Sequence, residues 1–409
     1  MIVIIGAGLA GLACATRLEQ AGADWLLLES SVKPGGRVAT HVTPDGYRLD
    51  HGFQVLLDSY PAARQLLDLD ALNPCFFKSG ALLAGKERLG EILNPLVHPE
   101  GILKTLGDRS IPWSQKVSFA LYGAGILFQG GGGGLGISAL EDLRRHGLEG
   151  AVLERFLRPF FEGVFLDKDL GTDASVLRAA IRNFALGRAL LPAQGMGEIP
   201  RQMASRLPSV RQRYASRAES LVHDGGRVVA VILESGERIP CQILVIATEE
   251  PAARRLLGLG KGRPWQSVTT LYFTGEEPLY EGPYLVLPEG KDRLVRHFCD
   301  LTNVAPSYAP HGRRLLTATV LSLGEGDPVS RAVSEIAAIF PAFSEWKFLE
   351  RIDIPWALPS QSPGFAASFP ERRQGPNCWL AGDQVARASI DSALASGLRA
   401  ADELLPTIF

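Results

Sequence analysis

The sequence predicts an α/β fold with two lobes. Its first 30 residues read strand, turn, helix and strand, the order that builds a parallel sheet. A strand–turn–helix order returns in the last 30 residues, and strand texture dominates from about residue 210 to residue 322. One lobe is therefore assembled from distant pieces of chain. A second lobe, a mixed β-sheet with a helical insertion, lies between those pieces.

The composition excludes several classes of protein. The 409 residues are 46% hydrophobic and 21% charged, which is ordinary for a globular protein with a sizeable core. The formal net charge of −2 argues against a nucleic-acid partner, which requires a basic excess. The cysteines show no CxxC spacing and no companion histidine cluster, so neither a disulfide framework nor a metal site is expected.

The chain carries no sign of export or of a membrane span. It begins directly with the apolar run MIVII, without the basic region and cleavage site of a signal peptide. No apolar run reaches the roughly 18 residues that a spanning helix needs. We therefore expect a cytoplasmic protein, and peripheral membrane contact through a surface patch stays open.

The N-terminal segment predicts a dinucleotide site. Residues 2–5 read as a buried strand, residues 9–20 as a helix and residues 25–28 as a second buried strand. The turn between the first strand and the helix is a G-x-G-x-x-G, formed by Gly6, Ala7, Gly8, Leu9, Ala10 and Gly11. Its glycines permit the tight turn, the approach of a diphosphate and close helix packing. Glu29 ends the second strand, where a carboxylate accepts from ribose hydroxyls.

A second glycine motif follows. Gly35 and Gly36 let the chain pass close to a ligand, and Arg37 can neutralise a phosphate. The alternative interpretation is an ordinary turn with a solvated arginine. Its position directly after the N-terminal βαβ unit favours the ligand interpretation.

From about residue 66 to residue 184 the spacing of apolar residues predicts a helical insertion. Ser138 and Glu141 form a capping box that opens a helix, which Gly147 ends. The run Gly130–Gly134 predicts an exposed loop. The apolar segment 117–128 is open to three interpretations: a core helix, the wall of a substrate tunnel, or a contact with a bilayer.

Strands return towards the C-terminus. A hairpin is predicted about Ser235 and Gly236, followed by a buried strand at 243–247. Further strands are expected within 266–322. The last segment reads as a strand, a loop containing Gly382 and Asp383, and a helix from about Asp391.

The motifs together resemble those of FAD-dependent amine oxidases, protoporphyrinogen oxidases and carotenoid (phytoene-type) desaturases. The blocks GAGLAGL with LLLES, GGRVAT, LDHGFQVL, PAQGMGEIPRQMASRL, RAESL, LVIAT and AGDQVARASIDSALASG occur in the family order. The resemblance implies a discontinuous Rossmann-like FAD-binding lobe of the GR2 type, formed by residues 1–65, 192–255 and 370–409. Residues 66–191 and 256–369 then form the substrate lobe.

The resemblance also implies which residues contact noncovalent FAD. The GGR arginine helps to hold the diphosphate, the LDHGFQVL block passes beside the isoalloxazine ring, and Ala218 meets the adenine. In the C-terminal block, Gly382 and Asp383 face the ribitol–phosphate side, and the helix N-terminus points to the flavin. The predicted FAD contacts are Gly6, Ala7, Gly8, Leu9, Ala10, Gly11, Glu29, Ser30, Gly35, Gly36, Arg37, Val38, Gly52, Phe53, Gln54, Val55, Ala218, Thr248, Gly382, Asp383, Ser389, Ile390 and Ala393.

Two departures from the family pattern bear on the substrate. Amine oxidases usually present a lysine near flavin N5, and only Lys261 and Lys291 lie in the corresponding part of this sequence, outside any matching block. Cys378 precedes the final strand and does not match a flavin-linking cysteine. His41 and His51 lie near the predicted flavin path, where a general-base role is one interpretation. The other is that one histidine, His41, lies in a surface loop and that the other, His51, packs beside a strand.

The sequence therefore predicts an FAD-dependent oxidoreductase that takes a hydride from a hydrophobic small molecule to flavin N5. A desaturase-like dehydrogenation of an isoprenoid or tetrapyrrole is the leading hypothesis, with no metal and no catalytic side chain required. Oxidation of a small or polycyclic amine is the alternative. A binding or escort protein on the same scaffold, and an NAD-dependent dehydrogenase, are weaker alternatives. The electron acceptor is unspecified.

Overall fold

A computed structural model describes residues 1–85, 89–101, 107, 111–129, 136–290, 292–321 and 327–408. The strands are, in chain order, β1 (Ile2–Ile5), β2 (Trp25–Leu28), β3 (Thr40–Val42), β4 (Arg48–Asp50), β5 (Leu56–Leu57), β6 (Pro74–Phe76), β7 (Gly80–Ala84), β8 (Leu89–Leu93), β9 (Ala189–Pro192), β10 (Gln212–Arg213), β11 (Ala218–Asp224), β12 (Arg227–Leu233), β13 (Arg238–Pro240), β14 (Ile243–Ile246), β15 (Trp265–Gly275), β16 (Leu285–Pro288), β17 (Val295–Asp300), β18 (Arg314–Val320), β19 (Lys347–Pro359) and β20 (Cys378–Leu380).

The helices follow the same chain order. They are α1 (Leu9–Gln20), α2 (Pro61–Leu66), α3 (Trp113–Gln129), α4 (Ala139–Arg145), α5 (Arg158–Phe165), α6 (Ala174–Leu186), α7 (Glu198–Ser205), α8 (Glu250–Leu256), α9 (Leu301–Val304), α10 (Pro328–Ala337) and α11 (Ile390–Leu404).

A parallel sheet of order β10-β2-β1-β14-β20 forms the centre of the first lobe. Its strands come from the start, the middle and the end of the chain, which confirms the predicted α/β class. β1, β2 and β14 are apolar runs that the sheet buries almost completely. The predicted domain boundaries themselves stay a prediction.

Two helices cover one face of this sheet and lie against each other. A Cβ on Gly397 of α11 would lie 2.0 Å from the carbonyl oxygen of Ala10 in α1, so only glycine permits this approach. Arg17 Nε and Asp402 Oδ1 join the two helices at 2.6 Å. The N-terminal and C-terminal motifs are thereby held side by side.

The other face of the parallel sheet packs on an antiparallel sheet of order β11-β12-β13. Val3, Ile5, Val231 and Leu244 share a buried core between the two sheets. The β12–β13 pairing confirms the hairpin predicted about Ser235 and Gly236.

The second lobe is built on a sheet of order β19-β15-β18-β17-β16-β7-β8. Its pairings are antiparallel except for β16 with β7, so the sheet is mixed, as predicted. β7 and β8 correct the expectation of a wholly helical insertion. Their sequences, GALLA and LGEIL, have the local composition of a helix, and pairing of β7 with β16 makes them strands instead.

β6, which pairs with β9, is a further strand in the insertion, and the later part of the insertion is helical. α3, α4, α5 and α6 enclose a separate hydrophobic core, and the Ser138 side chain accepts from the backbone N–H of Glu141 at 3.1 Å, which confirms the predicted start of α4. The predicted loop Gly130–Gly134 lies outside the described residues. Among the described helices, none has both the length and the apolar character to cross a membrane.

Candidate functional site

The first predicted motif forms the turn between β1 and α1. Gly6 has a φ of +105°, and a Cβ on Gly11 would lie 1.8 Å from the Gly6 carbonyl oxygen. Gly8 is the N-cap of α1 and offers no side chain to the N–H groups of the first turn. These N–H groups and the positive end of the helix dipole form a setting that suits a diphosphate.

The second glycine motif lies across the start of α1. Gly35 and Gly8 form a parallel bridge, and the Gly35 N–H donates to the Ala7 carbonyl at 2.9 Å. A Cβ on Gly36, where φ is +60°, would lie 3.8 Å from the Gly8 Cα. The three glycines therefore leave a space without side chains above the helix N-terminus, and Val38 closes the loop by donating to the Gly35 carbonyl at 3.1 Å.

Glu29 is buried at the end of β2 and fixes the geometry of this turn. Its Oε2 accepts from the Ala7 N–H at 2.7 Å, and its Oε1 accepts from the Ser31 N–H at 2.8 Å and the Ser30 hydroxyl at 3.2 Å. A carboxylate has further lone pairs for ribose hydroxyls. The structure thus gives Glu29 a role in the turn, and the predicted ribose contact stays a prediction.

Arg37 joins the N-terminal and C-terminal motifs. Its Nη1 lies 2.6 Å from Asp383 Oδ2 and donates to the Ala357 carbonyl at 3.1 Å. Its guanidinium also lies over the Trp265 ring, 5.4 Å from the ring centroid. Arg37 is thereby positioned beside Gly35 and Gly36 by contacts from three parts of the chain.

Asp383 belongs to a buried polar network. Its other members, Arg263 and Glu250, lie in none of the sequence motifs. Arg263 donates from Nη2 to the Asp383 carbonyl at 2.9 Å and from Nε to Glu250 Oε2 at 3.1 Å. Asp383 Oδ1 and Arg263 Nη1 are both buried, and neither has a hydrogen-bond partner among the described residues. An orphaned buried acceptor costs free energy unless a ligand or water satisfies it, so Asp383 Oδ1 fits a hydroxyl-bearing cofactor such as FAD.

The LDHGFQVL block connects to the same site. Gln54 Nε2 donates to the carbonyls of Arg37 and His51 at 2.9 Å and 3.0 Å. Gly52 has a φ of +90°, and a Cβ there would lie 3.0 Å from Ile354 Cδ1. The block therefore runs directly between the Arg37 loop and the sheet of the second lobe.

Asp50 in this block ties three segments together. Its Oδ1 accepts from the Met196 N–H at 2.9 Å and from the Thr40 hydroxyl, and its Oδ2 accepts from the Tyr308 hydroxyl at 2.8 Å. The Tyr272 hydroxyl donates to the Asp50 carbonyl at 2.7 Å. Burial raises the pKa of Asp50 to about 6, against the lowering effect of its donors.

The C-terminal predicted contacts lie around the start of α11. Ser389 is the N-cap of α11 and accepts from the Ser392 N–H at 3.0 Å. The helix begins at Ile390, one residue before the predicted Asp391, and Asp391 Oδ1 accepts from Ala62 at 2.8 Å to cap α2. Ile390, Ala393, Phe53 and Val55 all pack against one hydrophobic core.

Thr248 and Ala218 are held by different parts of the first lobe. Gln384 Nε2 donates to the Thr248 carbonyl at 3.4 Å and to the Ala381 carbonyl at 3.0 Å, which joins the ends of β14 and β20. Ala218 begins β11, and its side chain packs in the core with Leu28. The structure therefore brings Thr248 to the motif cluster, whereas the predicted adenine contact of Ala218 involves its backbone and stays a prediction.

His297 is a residue that sequence analysis missed. It lies in β17, its ring centroid is 5.1 Å from that of Phe53, and its Nε2 bonds the Thr319 hydroxyl at 2.8 Å. A Cβ on Gly163 would lie 2.1 Å from His297 Nδ1, so α5 passes directly over the ring. The available signal was its position in a predicted strand two residues from Val295 and Cys299, which a strand places on the same side as His297.

His297 is neutral at pH 7, because burial lowers its pKa to about 4. The unfolded chain therefore binds the proton more tightly than the folded protein does. The stability that His297 contributes is present above about pH 6.5, the unfolded value, and is lost as the pH falls through the folded value.

We expect His297→Gln to remove this pH dependence. The measured quantity is the difference in the free energy of unfolding between the wild type and the variant. As the pH is lowered from about 6.5 to about 4, this difference decreases by about 3 kcal/mol. Urea unfolding at several pH values measures this difference. The titration of Asp50 changes the free energy of unfolding in the opposite direction over an overlapping pH range. Because Asp50 is present in both proteins, its contribution cancels in the difference. A difference that does not change with pH would contradict a buried neutral His297.

The other predicted candidates have ordinary surroundings. His41 lies in β3, not in a surface loop as one interpretation had it, and its Nε2 is 3.0 Å from Glu350 Oε1. His51 packs edge-on against His41 with the ring centroids 5.9 Å apart. Lys261 is exposed in the loop after α8, and Lys291 lies outside the described residues. No cluster able to hold a metal ion occurs within the described part of the chain.

The comparisons with known proteins agree with this geometry. The model of the family described as "Flavin containing amine oxidoreductase" matches residues 9–405. The chain belongs to this family. The description of the family names a flavin, and the side-chain-free space above α1, together with the orphaned Asp383 Oδ1, fits FAD.

Curated relatives of this flavoprotein include phytoene-acting enzymes. It is 27% identical to the phytoene dehydrogenase of Streptomyces griseus over 64% of its own length and 57% of the relative. It is 23% identical to the 15-cis-phytoene desaturase of Narcissus pseudonarcissus over 83% of its own length and 66% of the relative. The chain thus spans less than two thirds of the length of these relatives.

Solved structures support the fold. An oxidoreductase from Methanosarcina mazei superposes with a TM-score of 0.77 at 15% identity, covering 97% of this flavoprotein and 99% of that chain. At this identity the likeness establishes the two-lobe architecture and nothing about the substrate.

Proposed function

We propose that the protein dehydrogenates a hydrophobic substrate, forming a C=C bond in an isoprenoid or tetrapyrrole. The observation that carries this proposal is the pair of uncharged rings that Phe53 contacts in the predicted flavin block. Phe53 packs edge-on against Phe77 at 6.0 Å and against the neutral His297 at 5.1 Å. Apolar and neutral rings suit an uncharged substrate better than a cationic amine.

Bound FAD supplies the acceptor for the hydride at N5. A C=C bond forms when the substrate loses two hydrogens from neighbouring carbons, one as a hydride that bound FAD would accept and one as a proton that solvent would take. The chain's own part is to bind, to orient and to exclude water.

The proposed placement of FAD follows from the contacts of the motifs. The first turn of α1 and Arg37 would hold the diphosphate, Glu29 would face the adenosine ribose, and Asp383 Oδ1 would accept from the ribitol. Phe53 and the neighbouring His297 of β17 would then lie on the flavin side of the second lobe.

Anaerobic reduction of the purified holoprotein tests the substrate class. We expect the flavin absorbance band to bleach when a long polyene precursor or a reduced tetrapyrrole is added in detergent micelles. A set of primary, secondary and polycyclic amines is added to parallel samples under the same conditions, and micelles without substrate are the control.

The outcomes separate the hypotheses. Bleaching by an amine, with none by the hydrophobic substrates, would contradict the proposal and establish the amine-oxidase alternative. Bleaching by neither, in a preparation that dithionite reduces normally, would leave the FAD assignment standing and reject both substrate classes tested.

A further inference from the structure

Helix α3 presents an uncovered apolar stripe. The residues of this stripe are Trp113, Val117, Leu121 and Phe128, which recur at helical spacing along one side of the helix. All four are exposed, Leu121 by 69% and Phe128 by 91%. A helix of 17 residues is about 25 Å long, so the stripe is a surface feature of considerable size.

The opposite side of α3 is firmly packed. Tyr122 and Ile126 are buried in the core of the insertion, and Phe119 lies edge-on to Phe156 with ring centroids 5.7 Å apart. The Tyr122 hydroxyl donates to buried Asp142 at 2.6 Å. The helix is therefore anchored by its inner side. The core-helix interpretation of segment 117–128 is correct for this inner side and does not explain the exposed side.

Helix α3 and two helices that share its hydrophobic core, α4 and α6, carry a basic excess. α3, α4 and α6 together carry five basic residues and two acidic residues, whereas the whole chain carries 42 basic and 44 acidic residues. This local excess complements an anionic surface. The basic residues are Lys116, Arg144, Arg145, Arg178 and Arg182.

A cavity connects the stripe to these charges. It measures about 290 Å³ and is lined by Ser118, Leu121, Tyr122, Gly125, His146 and Arg178, among others. Arg178 is held in place by two bonds to Asp142, from Nε at 2.8 Å and from Nη2 at 2.7 Å. Leu121 belongs to both the stripe and the cavity, so the stripe adjoins a recess that contains His146 and the Arg178–Asp142 pair.

From this juxtaposition we infer that α3 docks on an anionic lipid bilayer. The stripe enters the boundary of the headgroups and acyl chains, and the basic excess of α3, α4 and α6 attracts the anionic headgroups. The inference goes beyond the proposed reaction and does not depend on it, since it rests only on the surface of the insertion.

Vesicle sedimentation of the holoprotein tests the inference. We expect the wild type to sediment with vesicles of phosphatidylcholine and phosphatidylglycerol, and less with phosphatidylcholine alone. Salt weakens the first interaction by screening. Trp113→Ser, Leu121→Ser and Phe128→Ser, combined, lower the partition to the anionic vesicles by roughly tenfold or more, because three apolar side chains no longer insert.

A matched control carries Val210→Ser, Leu259→Ser and Trp356→Ser, which replace exposed apolar residues outside the insertion. It is expected to sediment like the wild type, and thermal unfolding of both triple variants checks that each is folded. Equal sedimentation of the stripe variant and the wild type would overturn the inference, as would a wild type that binds neither vesicle. If the wild type is a dimer that binds no vesicles, and the stripe variant is a monomer, the stripe is instead an interface with a second copy of the chain.

Discussion

Gly11→Ala is expected to abolish FAD retention and to destabilise the fold by at least about 3 kcal/mol. The new Cβ would lie 1.8 Å from the Gly6 carbonyl oxygen, which belongs to the turn that β1 and α1 share. Backbone does not move aside as a flexible side chain does, so α1 must shift away from the sheet. Its N-terminus then no longer meets the predicted diphosphate position.

The matched control is Gly123→Ala in α3. Gly123 is also a helical glycine, and no atom lies within 4 Å of the position a Cβ would take. Alanine there is expected to leave stability unchanged or to raise it by about 0.5–1 kcal/mol. Flavin absorbance per mole of protein and urea unfolding measure both variants. A Gly11→Ala protein that is yellow and as stable as the Gly123→Ala protein would show that the close approach at Gly11 is wrong.

The parts that the sequence predicted best are local in the chain. The β1–α1–β2 unit lies within 30 residues, and its glycines, apolar runs and terminal Glu29 depend on neighbours that the sequence itself displays. The Ser138 cap of α4 and the hairpin at Ser235 are of the same kind. Each is determined by backbone conformation over a few residues.

The parts that the sequence could not predict depend on distant residues. GALLA in β7 has the local composition of a helix, and only pairing with β16, some 200 residues later in the chain, makes it a strand. Arg263 belongs to no motif, and its bond to the Asp383 carbonyl spans 120 residues. His297 became a candidate only when β17 placed it beside Phe53.

The Arg37–Asp383 pair combines both kinds of information. Each residue was recognised from a local block, but no local pattern indicated that the two would lie 2.6 Å apart. The pairing also explains how the first and last motifs are held together around the predicted cofactor. Asp383 Oδ2 is satisfied by Arg37, which leaves Oδ1 as the buried acceptor.

Arg37→Gln is therefore expected to weaken FAD binding by about tenfold or more and to lower the free energy of unfolding by about 2 kcal/mol. The Asp383 side chain is only 5% exposed, so its carboxylate would lose its charged partner in a dry setting. The Arg37 side chain is 37% exposed, which reduces the cost below that of a fully buried pair. Release of flavin fluorescence from the holoprotein measures FAD retention, and urea unfolding measures stability.

Arg213→Gln is the matched control, because Arg213 forms a two-bond pair with Glu237 on the exposed surface, at 2.8 Å and 2.6 Å. Its loss is expected to cost no more than about 1 kcal/mol and to leave FAD retention unchanged. Combining Arg37→Gln with Asp383→Asn is expected to recover part of the stability lost by either single variant, because no buried charge then stays unpaired. If the double variant is simply the sum of the singles, the two residues act independently. If Arg37→Gln alone keeps FAD as tightly as the wild type, Arg37 does not hold the diphosphate.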